Sequence, residues 1–504
     1  MPFPLPPLSG VREGASALWT GVKGAMPESC LAGPDERLQF AKFGRKRGDV
    51  EMTAVNSAEG APEGAEGGPP GDQPPLQREA SVGSVSTVGV ECQDHDMITE
   101  WQAGWNVTNA IQGMFIVSLP YAVLHGGYWA LVAMIGIAYI CCYTGKILVD
   151  CLYDLDENGQ LVRVRYSYKG IAKEVFGQKW GGKIVNTAQL IELLMTCILY
   201  VVLCGDLMIG SFPDGDRRPS WMMICGIVLL PCSFLKNLHH VSTLSFWCMV
   251  AHLAINIIIF AYCISNASTW AWSKVMFRID MVEFPIALGI IVFSYTSHIF
   301  LPTLEYNLID RSKFTCMLNW SHVAAALFKS LFGYVGFLTW AEDTEEVITN
   351  NLPNPTFKGF VNLILVVKAL LSYPLPYYAA CEIIEITFFR GRPKTSFPSF
   401  WALDGELKVW AIGIRVVVVV FTIMMAISIP HFAILMGLIG SFTGTMLSFI
   451  WPCYFHLKIK EGKLEWGDIA YDWFVIFLGF IFGIIGITTS FYALVEAFHI
   501  GLPF

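Results

Sequence analysis

The residues most suited to bind a ligand interrupt a long apolar segment that runs from Trp105 to Tyr128. A helix that crosses about 30 Å of hydrocarbon needs about 20 residues, so this segment is long enough to span a membrane. Unwound backbone persists inside a membrane only where it lines a cavity of the protein. A half-helix beginning near Ile116 would point free N–H groups and its positive dipole end into such a cavity, where a carboxylate can bind without an arginine. The interrupting residues are Asn106, Asn109, Gln112, Gly113, Ser118 and Pro120.

A second apolar segment, roughly residues 284–304, has the same pattern. Its polar run from Ser294 to Ser297 precedes Pro302, and it offers hydroxyl and carbonyl oxygens that suit an amino group. Two interrupted segments in corresponding positions of two halves indicate an inverted-repeat transporter, here for a small amino acid. The alternative is that both are Pro-kinked packing helices. The residues predicted to bind the substrate are Asn109, Gln112, Gly113, Met114, Phe115, Ile116, Phe293, Ser294, Tyr295, Thr296 and Thr196.

An ionisable residue, Glu192, lies near the middle of a third apolar segment. It belongs to a stripe of polar residues spaced three and four apart, which places them on one helix face. A charge at that depth is costly and tends to be functional or neutralised, so Glu192 is the predicted proton carrier. The alternative is a structural carboxylate that pairs with an intramembrane cation. The other stripe residues are Asn186, Gln189, Thr196 and Tyr200, and the candidate cations are Lys329, Lys368 and Arg415.

Weaker signals come from single polar residues within apolar segments. His298 lies in the second break and could contact cargo or a proton, whereas His252 and His431 suit packing. Lys368 could close a gate, or it could extend to the membrane surface. Ser372 and Thr387 could build a sodium site with carbonyls of the first break.

The composition sets the class of protein in which these residues act. The chain has 504 residues, of which 54% are hydrophobic and only 15% are charged, with a formal net charge of −8. A soluble domain rarely has this composition, so the chain is predicted to be an all-α polytopic membrane protein. There is no basic field of the kind that binds nucleic acid. The expected partners are therefore a small amino acid substrate and the lipid bilayer.

Eleven hydrophobic segments follow from residue 101 onward, and they divide into two repeats of five plus one extra helix. The repeats are predicted at about 100–266 and 283–459, the extra helix at 470–498, and the transmembrane domain as a whole at 98–498. Residues 1–97 are rich in Pro, Gly, Ser and Glu, and they are predicted to form a disordered tail. The segments are roughly 101–124, 128–151, 182–205, 221–235, 243–265, 284–304, 315–339, 358–388, 408–427, 430–457 and 470–498.

Charges in the loops predict the orientation. Most loop lysines and arginines fall on the same side as the tail, which makes that side cytoplasmic by the positive-inside rule. The short end at 499–504 would then lie in the lumen. Asn266, followed by Ala267 and Ser268, is an acceptor pattern for N-glycosylation on the non-cytoplasmic side.

Several sequence blocks resemble the amino acid/auxin permease family, and specifically its carriers of inhibitory amino acids in vesicles. They occur in the expected order over most of the membrane domain. The resemblance implies an eleven-helix fold with a LeuT-type 5+5 inverted repeat. It also implies that GABA, glycine and beta-alanine are loaded into synaptic vesicles in exchange for lumenal protons, with no cofactor and with chloride as a candidate co-ion. The blocks include WNVTNAIQGMF, CCYTGKIL, QLIELLMTCILYVV, GIIVFSYTS, KALLSYPLP and LMGLIGS.

Two other functions fit the same residues. One is a symporter of neutral amino acids, coupled to protons or sodium, in the plasma membrane or lysosome. The other is an amino acid sensor that binds solute in the same cavity without transporting it. An enzyme is not expected, because no nucleophile and base occur together and no metal-ligand spacing is present.

Overall fold

The computed structural model describes residues 99–111, 113–157, 159–212, 217–234, 239–388, 409–429 and 431–499. The predicted tail, Gln112 and residues 500–504 lie outside these ranges. The first half contains six helices and one antiparallel hairpin. The helices are α1 (Glu100–Ile111), α2 (Leu119–Asp150), α3 (Tyr168–Val175), α4 (Gly181–Ser211), α5 (Arg218–Leu229) and α6 (His239–Ser265), and the strands are β1 (Tyr153–Leu155) and β2 (Leu161–Arg163).

The second half contains nine helices, two of which flank π-helical turns. Six helical stretches in the described ranges are long and apolar enough to cross a membrane, and three shorter ones are apolar. The predicted all-α membrane fold is therefore confirmed, with the small hairpin as an addition. The helices are α7 (Glu283–Tyr295), α8 (Leu301–Tyr306), α9 (Phe314–Trp340), α10 (Pro355–Ser372), α11 (Pro374–Phe388), α12 (Val409–Ser428), α13 (Phe432–Ile439), α14 (Trp451–Ile459) and α15 (Trp466–His499).

A kink at Gly127 separates the first two predicted segments within α2. Gly127 has φ +53°, a value that favours glycine, and a Cβ at this position would come within 2.1 Å of the Met276 carbonyl oxygen. The next residue, Tyr128, donates its N–H to that same oxygen at 3.1 Å. The two predicted segments are thus two helical parts of α2 joined by a bend at Gly127.

Glycines bring α7 into backbone contact with α13. A Cβ on Gly289 would come within 2.2 Å of the Gly437 carbonyl oxygen, and a Cβ on Gly440 would come within 1.9 Å of the Gly289 carbonyl oxygen. Helices associate closely in membranes where small residues let their backbones approach. The α7–α13 crossing places the second interrupted segment against the π-helical turn Gly440–Gly444.

We call the end of the bundle that holds residues 151–180 and 305–313 the basic face. The Arg163 guanidinium donates to the Glu305 carboxylate and, at 2.9 Å, to the Pro302 carbonyl oxygen. Lys313 pairs with Glu100 at 2.6 Å. The hairpin and α8 therefore lie together, and α1 is tied to the loop before α9.

We call the opposite end, which holds residues 266–282 and 341–354, the acidic face. Glu346 joins three elements here. Its carbonyl oxygen accepts the Ser118 hydroxyl at 2.7 Å, and its Oε2 accepts the Ala433 N–H at 3.0 Å, at the start of α13. Burial raises the pKa of the Glu346 carboxyl group; the Ala433 N–H and the Arg218 charge act in the opposite direction.

Because α7 and α13 touch through their backbones, one methyl group added at Gly289 should strongly reduce the stability of the protein. Gly289→Ala should destabilise the protein by about 1–3 kcal/mol, because the new Cβ meets backbone atoms that cannot move aside. Gly136→Ala in α2 is the matched control, since a Cβ there has nothing within 4 Å. Thermal unfolding of the two purified variants in detergent measures the difference. Equal midpoints would contradict the close approach.

The raised pKa of Glu346 predicts that the stability of the protein depends on pH. Because its folded pKa is raised, the folded state is favoured below the ordinary carboxyl pKa, and this stabilisation is lost as the pH rises through the raised value. The free energy of unfolding of the wild type should increase on acidification across that window, by at most about 1.4 kcal/mol per pH unit, and the thermal midpoint should rise with it. Glu346→Gln should flatten this increase. Glu342→Gln, at an exposed position of the same loop, should leave it intact; identical pH profiles of all three proteins would contradict the assignment.

Candidate functional site

The first interrupted segment is broken as predicted. Helix α1 ends at Ile111, Gly113 is extended with ψ −177°, and a short 3-10 helix, Met114–Ser118, leads into α2. The first N–H groups of this short helix have no partner within it, so they are free to bind an acceptor. All five of its residues are buried. Two predicted binding groups, Gln112 and the side chain of Asn109, lie outside what the structure describes.

The second break lies slightly later in the chain than the sequence predicts. Phe293, Ser294 and Tyr295 remain helical as the last turn of α7, and the unwound stretch is 296–300. Helix α8 then starts at Leu301 with Pro302 in its first turn, a position where the missing N–H costs nothing. The carbonyl oxygens of the last turn of α7 therefore face the break.

The two breaks meet through aromatic rings. The Phe115 ring centre lies 5.1 Å from that of Phe293 in α7 and 5.3 Å from that of Tyr200 in α4. Phe432, the first residue of α13, is 6.1 Å away. Residues from both breaks and from two further helices thus surround one point. No local pattern in the sequence points to Phe432, because only the folded chain brings the start of α13 to the first break.

Glu192 is buried on α4, with 6% of its surface exposed. The Thr443 side chain, in the π-helical turn Gly440–Gly444, lies near the carboxyl group, and its hydroxyl donates to the Ile439 carbonyl oxygen at 3.2 Å. Its Oε2 atom has no partner among the described residues. Tyr200 is eight residues further along the same helix, about 12 Å away along the axis. Glu192 therefore lies about two turns of α4 from the rings of Phe115, Tyr200 and Phe293, on the side of the basic face. Thr196, between them, donates its hydroxyl to the Glu192 carbonyl oxygen at 2.8 Å.

Two of the three cations that could pair with Glu192 have other partners. Arg415 on α12 forms an ion pair with Glu385 on α11 at 2.9 Å. Lys329 on α9 donates to the carbonyl oxygen and hydroxyl of Ser294. The interpretation of Glu192 as a structural partner of either residue is therefore wrong.

The remaining polar candidates lie around the two breaks. His298 is fully buried beside the second break, and its Nε2 atom lies 2.9 Å from the Thr144 hydroxyl oxygen on α2. His252 on α6 is buried, and its imidazole lies near the Gly113 backbone and the Lys368 side chain on α10. Lys368 is 5% exposed, so it does not extend to the membrane surface as a solvated side chain.

The predicted sodium site is not assembled. Ser372 lies next to Tyr200, whereas the Thr387 hydroxyl oxygen lies 3.2 Å from the Asn186 side-chain amide. Asn186 and Tyr200 are fourteen residues apart on α4, about 21 Å along its axis. One ion cannot bridge that distance. Across the described ranges, no three His, Cys, Asp or Glu residues gather as metal ligands.

Asn266 lies at the acidic face, between α6 and the short helix Ala267–Thr269. Its amide donates to the Tyr262 carbonyl oxygen at 2.9 Å. Glycosylation at this position remains a prediction.

Comparison with known proteins identifies the family. A family model described as "Transmembrane amino acid transporter protein" matches residues 96–493. The chain is 50% identical over 461 residues to the vesicular inhibitory amino acid transporter of Macaca fascicularis, covering 88% of this chain and 87% of the relative. It is also 50% identical over 402 residues to the vesicular GABA transporter of Caenorhabditis elegans, covering 80% of this chain and 81% of the relative. A solved nucleobase-cation-symport-1 family transporter is similar with a TM-score of 0.46 at 11% identity, over 80% of this chain and 93% of that one.

The extent of these matches fits the fold described above. The matched region includes both broken helices and every helix from α1 to α14, and the coverage of the curated relatives is high in both directions. The chain therefore belongs to the transmembrane amino acid transporter family, and it is a multi-pass membrane transporter.

Proposed function

We propose that the chain loads GABA, glycine and beta-alanine into vesicles in exchange for lumenal protons. The observation that carries this proposal is the meeting of the two breaks, where Phe115 and Phe293 lie 5.1 Å apart. Two relatives at 50% identity are named as vesicular carriers of inhibitory amino acids or GABA, which supports the cargo class.

Each end of a zwitterion has a matching group at the breaks. The free N–H groups at the start of Met114–Ser118 and the helix dipole suit the carboxylate. The carbonyl oxygens of the unwound stretch 296–300 suit the amino group, since the Ser294 carbonyl at the end of α7 already accepts from Lys329. The rings of Phe115, Tyr200 and Phe293 pack against the short methylene chain between them. A small apolar enclosure with polar ends favours small amino acids over large ones.

Glu192 supplies the proton coupling in this proposal. A buried carboxyl group whose Oε2 has no partner among the described residues can take up a proton without breaking an ion pair. The deprotonated form would accompany cargo binding from the cytoplasm, and protonation from the lumen would favour the return. If each ligand binds one conformation better, proton and cargo affinities are linked reciprocally.

The proposed motion is a rocking of one helix group against the rest. Helix α9 packs against α1 and α2, and α7 and α8 also pack against α2, as the helices of one moving group would. We place the basic face and the tail in the cytoplasm, and the acidic face and the C-terminal end in the vesicle lumen. Loop lysines and arginines support this orientation.

Transport into reconstituted vesicles tests the proposal as a whole. Purified protein in proteoliposomes with an acidic interior should accumulate labelled GABA, and the accumulation should collapse when an ionophore removes the pH gradient. Replacing sodium with choline should not change the rate. Uptake that needs sodium would favour a symporter, and cargo binding without any flux would favour a sensor.

Glu192→Gln is expected to abolish uptake driven by the pH gradient, because the amide cannot exchange a proton. The amide can keep the contact with Thr443, so folding should persist, and the variant should still bind GABA in a thermal-shift assay. Glu342→Gln, an exposed acid on the acidic face, is the matched control and should transport normally. Wild-type uptake by the Glu192 variant would end this assignment.

Gly113→Leu is expected to block cargo at the first break. The new side chain starts from the backbone that His252 contacts, next to the free N–H groups of Met114–Ser118. Uptake should fall to background and the stabilisation by GABA should disappear. Gly413→Leu in α12, where a Cβ meets nothing within 4 Å, controls for added bulk in a membrane helix. Normal uptake kinetics in the Gly113 variant would place the cargo elsewhere.

A further inference from the structure

Lys329 is fully buried in α9, and its contacts are unusual for a buried lysine. Its Nζ atom donates to the Ser294 carbonyl oxygen and, at 3.1 Å, to the Ser294 hydroxyl oxygen. It also lies 3.8 Å from the centre of the Tyr295 ring. Within the described residues, no carboxylate oxygen lies within ion-pairing distance of it. The ammonium group is thus held by a backbone break rather than by an acid.

Each of these contacts stabilises positive charge. The Ser294 carbonyl belongs to the last turn of α7, where the carbonyl oxygens lack intrahelical partners and the helix dipole is negative. The face of an aromatic ring attracts a cation, and does so more strongly away from water. In transporters with broken helices, such freed carbonyls are the groups that coordinate a coupling cation. The ammonium group of Lys329 occupies that position.

The packing of α9 places this charge level with the first break as well. A Cβ on Gly333 would lie 3.4 Å from the Leu119 carbonyl oxygen, and a Cβ on Gly336 would lie 2.7 Å from the Pro120 ring. The start of α2 and this part of α9 therefore run side by side in the same direction. Lys329 precedes Gly333 by four residues, about 6 Å along the axis, which is the level of Met114–Ser118. Helix α9 also packs directly against that short helix.

We propose that Lys329 is a resident cation of the transport site. Its ammonium group takes the place that a diffusible monovalent cation would have at the second break, and it balances the cargo carboxylate at the first. Transport then needs no sodium, because the charge is covalently part of the chain. This inference rests on the proposed site and cargo, and it explains why transport would not require sodium.

Removal of the ammonium group tests the inference. In proteoliposomes with an acidic interior and sodium-free buffer, Lys329→Ala should lower GABA uptake by about tenfold or more. Added sodium, lithium or methylammonium should restore part of that uptake in a saturable manner, because the vacated oxygens can then bind a free cation. The wild type should not respond to these ions. Lys458→Ala, which removes an exposed lysine near the basic face, should behave as the wild type.

Three results would overturn the inference. The first is a saturable stimulation of wild-type uptake by sodium. The second is GABA uptake by Lys329→Ala within twofold of the wild type. The third is a folded Lys329→Ala protein whose lost uptake is not restored by sodium, lithium or methylammonium. The last result would leave Lys329 with a packing role only.

A second variant covers the case in which Lys329→Ala does not fold. Ser294→Ala keeps the lysine but removes one of its two oxygen acceptors. It should raise the KM for GABA several-fold and leave thermal stability nearly unchanged, whereas an unchanged KM would count against a role in cargo binding. GABA binding to the detergent-solubilised wild type, measured in sodium and in choline, needs no proton gradient. It therefore tests sodium independence even if proton exchange itself proves to be wrong.

Discussion

The structure depends on one constraint, which is that hydrocarbon offers no hydrogen-bond partners to peptide groups. A helix broken inside a membrane must therefore have its free ends satisfied by the protein or by a ligand. At the second break, Lys329 meets the Ser294 carbonyl. At the first, the N–H groups at the start of Met114–Ser118 have no partner within their own short helix. The glycine contacts between α7 and α13 close the bundle around this point, since they let the broken segment lie directly against its neighbour.

Local chemistry explains why the first break could be predicted. Pro120 lacks an N–H group and Gly113 lacks a Cβ, and both effects act on the residue itself. The second break was located about two residues too early, because its polar run begins at Ser294 but α7 continues to Tyr295. The contact that accompanies this later end of α7 comes from Lys329, 35 residues later in the chain. No local pattern contains that information.

The limits of periodicity are clearest on α4. The spacing of its polar stripe correctly predicts that Glu192 and Tyr200 face inward, and both are close to residues of other helices. Periodicity gives a face of the helix but not the neighbour of each residue. The placement of Thr443 near Glu192, and that of Phe432 beside Phe115, arise from tertiary packing alone. The sodium site was wrongly predicted for the same reason. Ser372 and Thr387 were chosen because they carry hydroxyl groups, but their neighbours Tyr200 and Asn186 lie about four turns apart on α4.

The two faces of the bundle are closed by different chemistry, and a pH gradient would act on them unequally. At the basic face, α8 is held by the guanidinium of Arg163, which donates to the Glu305 carboxylate and the Pro302 carbonyl oxygen. At the acidic face, Glu346 joins Ser118 to α13 through a carboxyl group whose pKa is raised by burial. Protonation removes the cost of burying that charge, so acid strengthens the closure at this face. In the proposed orientation the acidic face borders the vesicle lumen, where protons are concentrated.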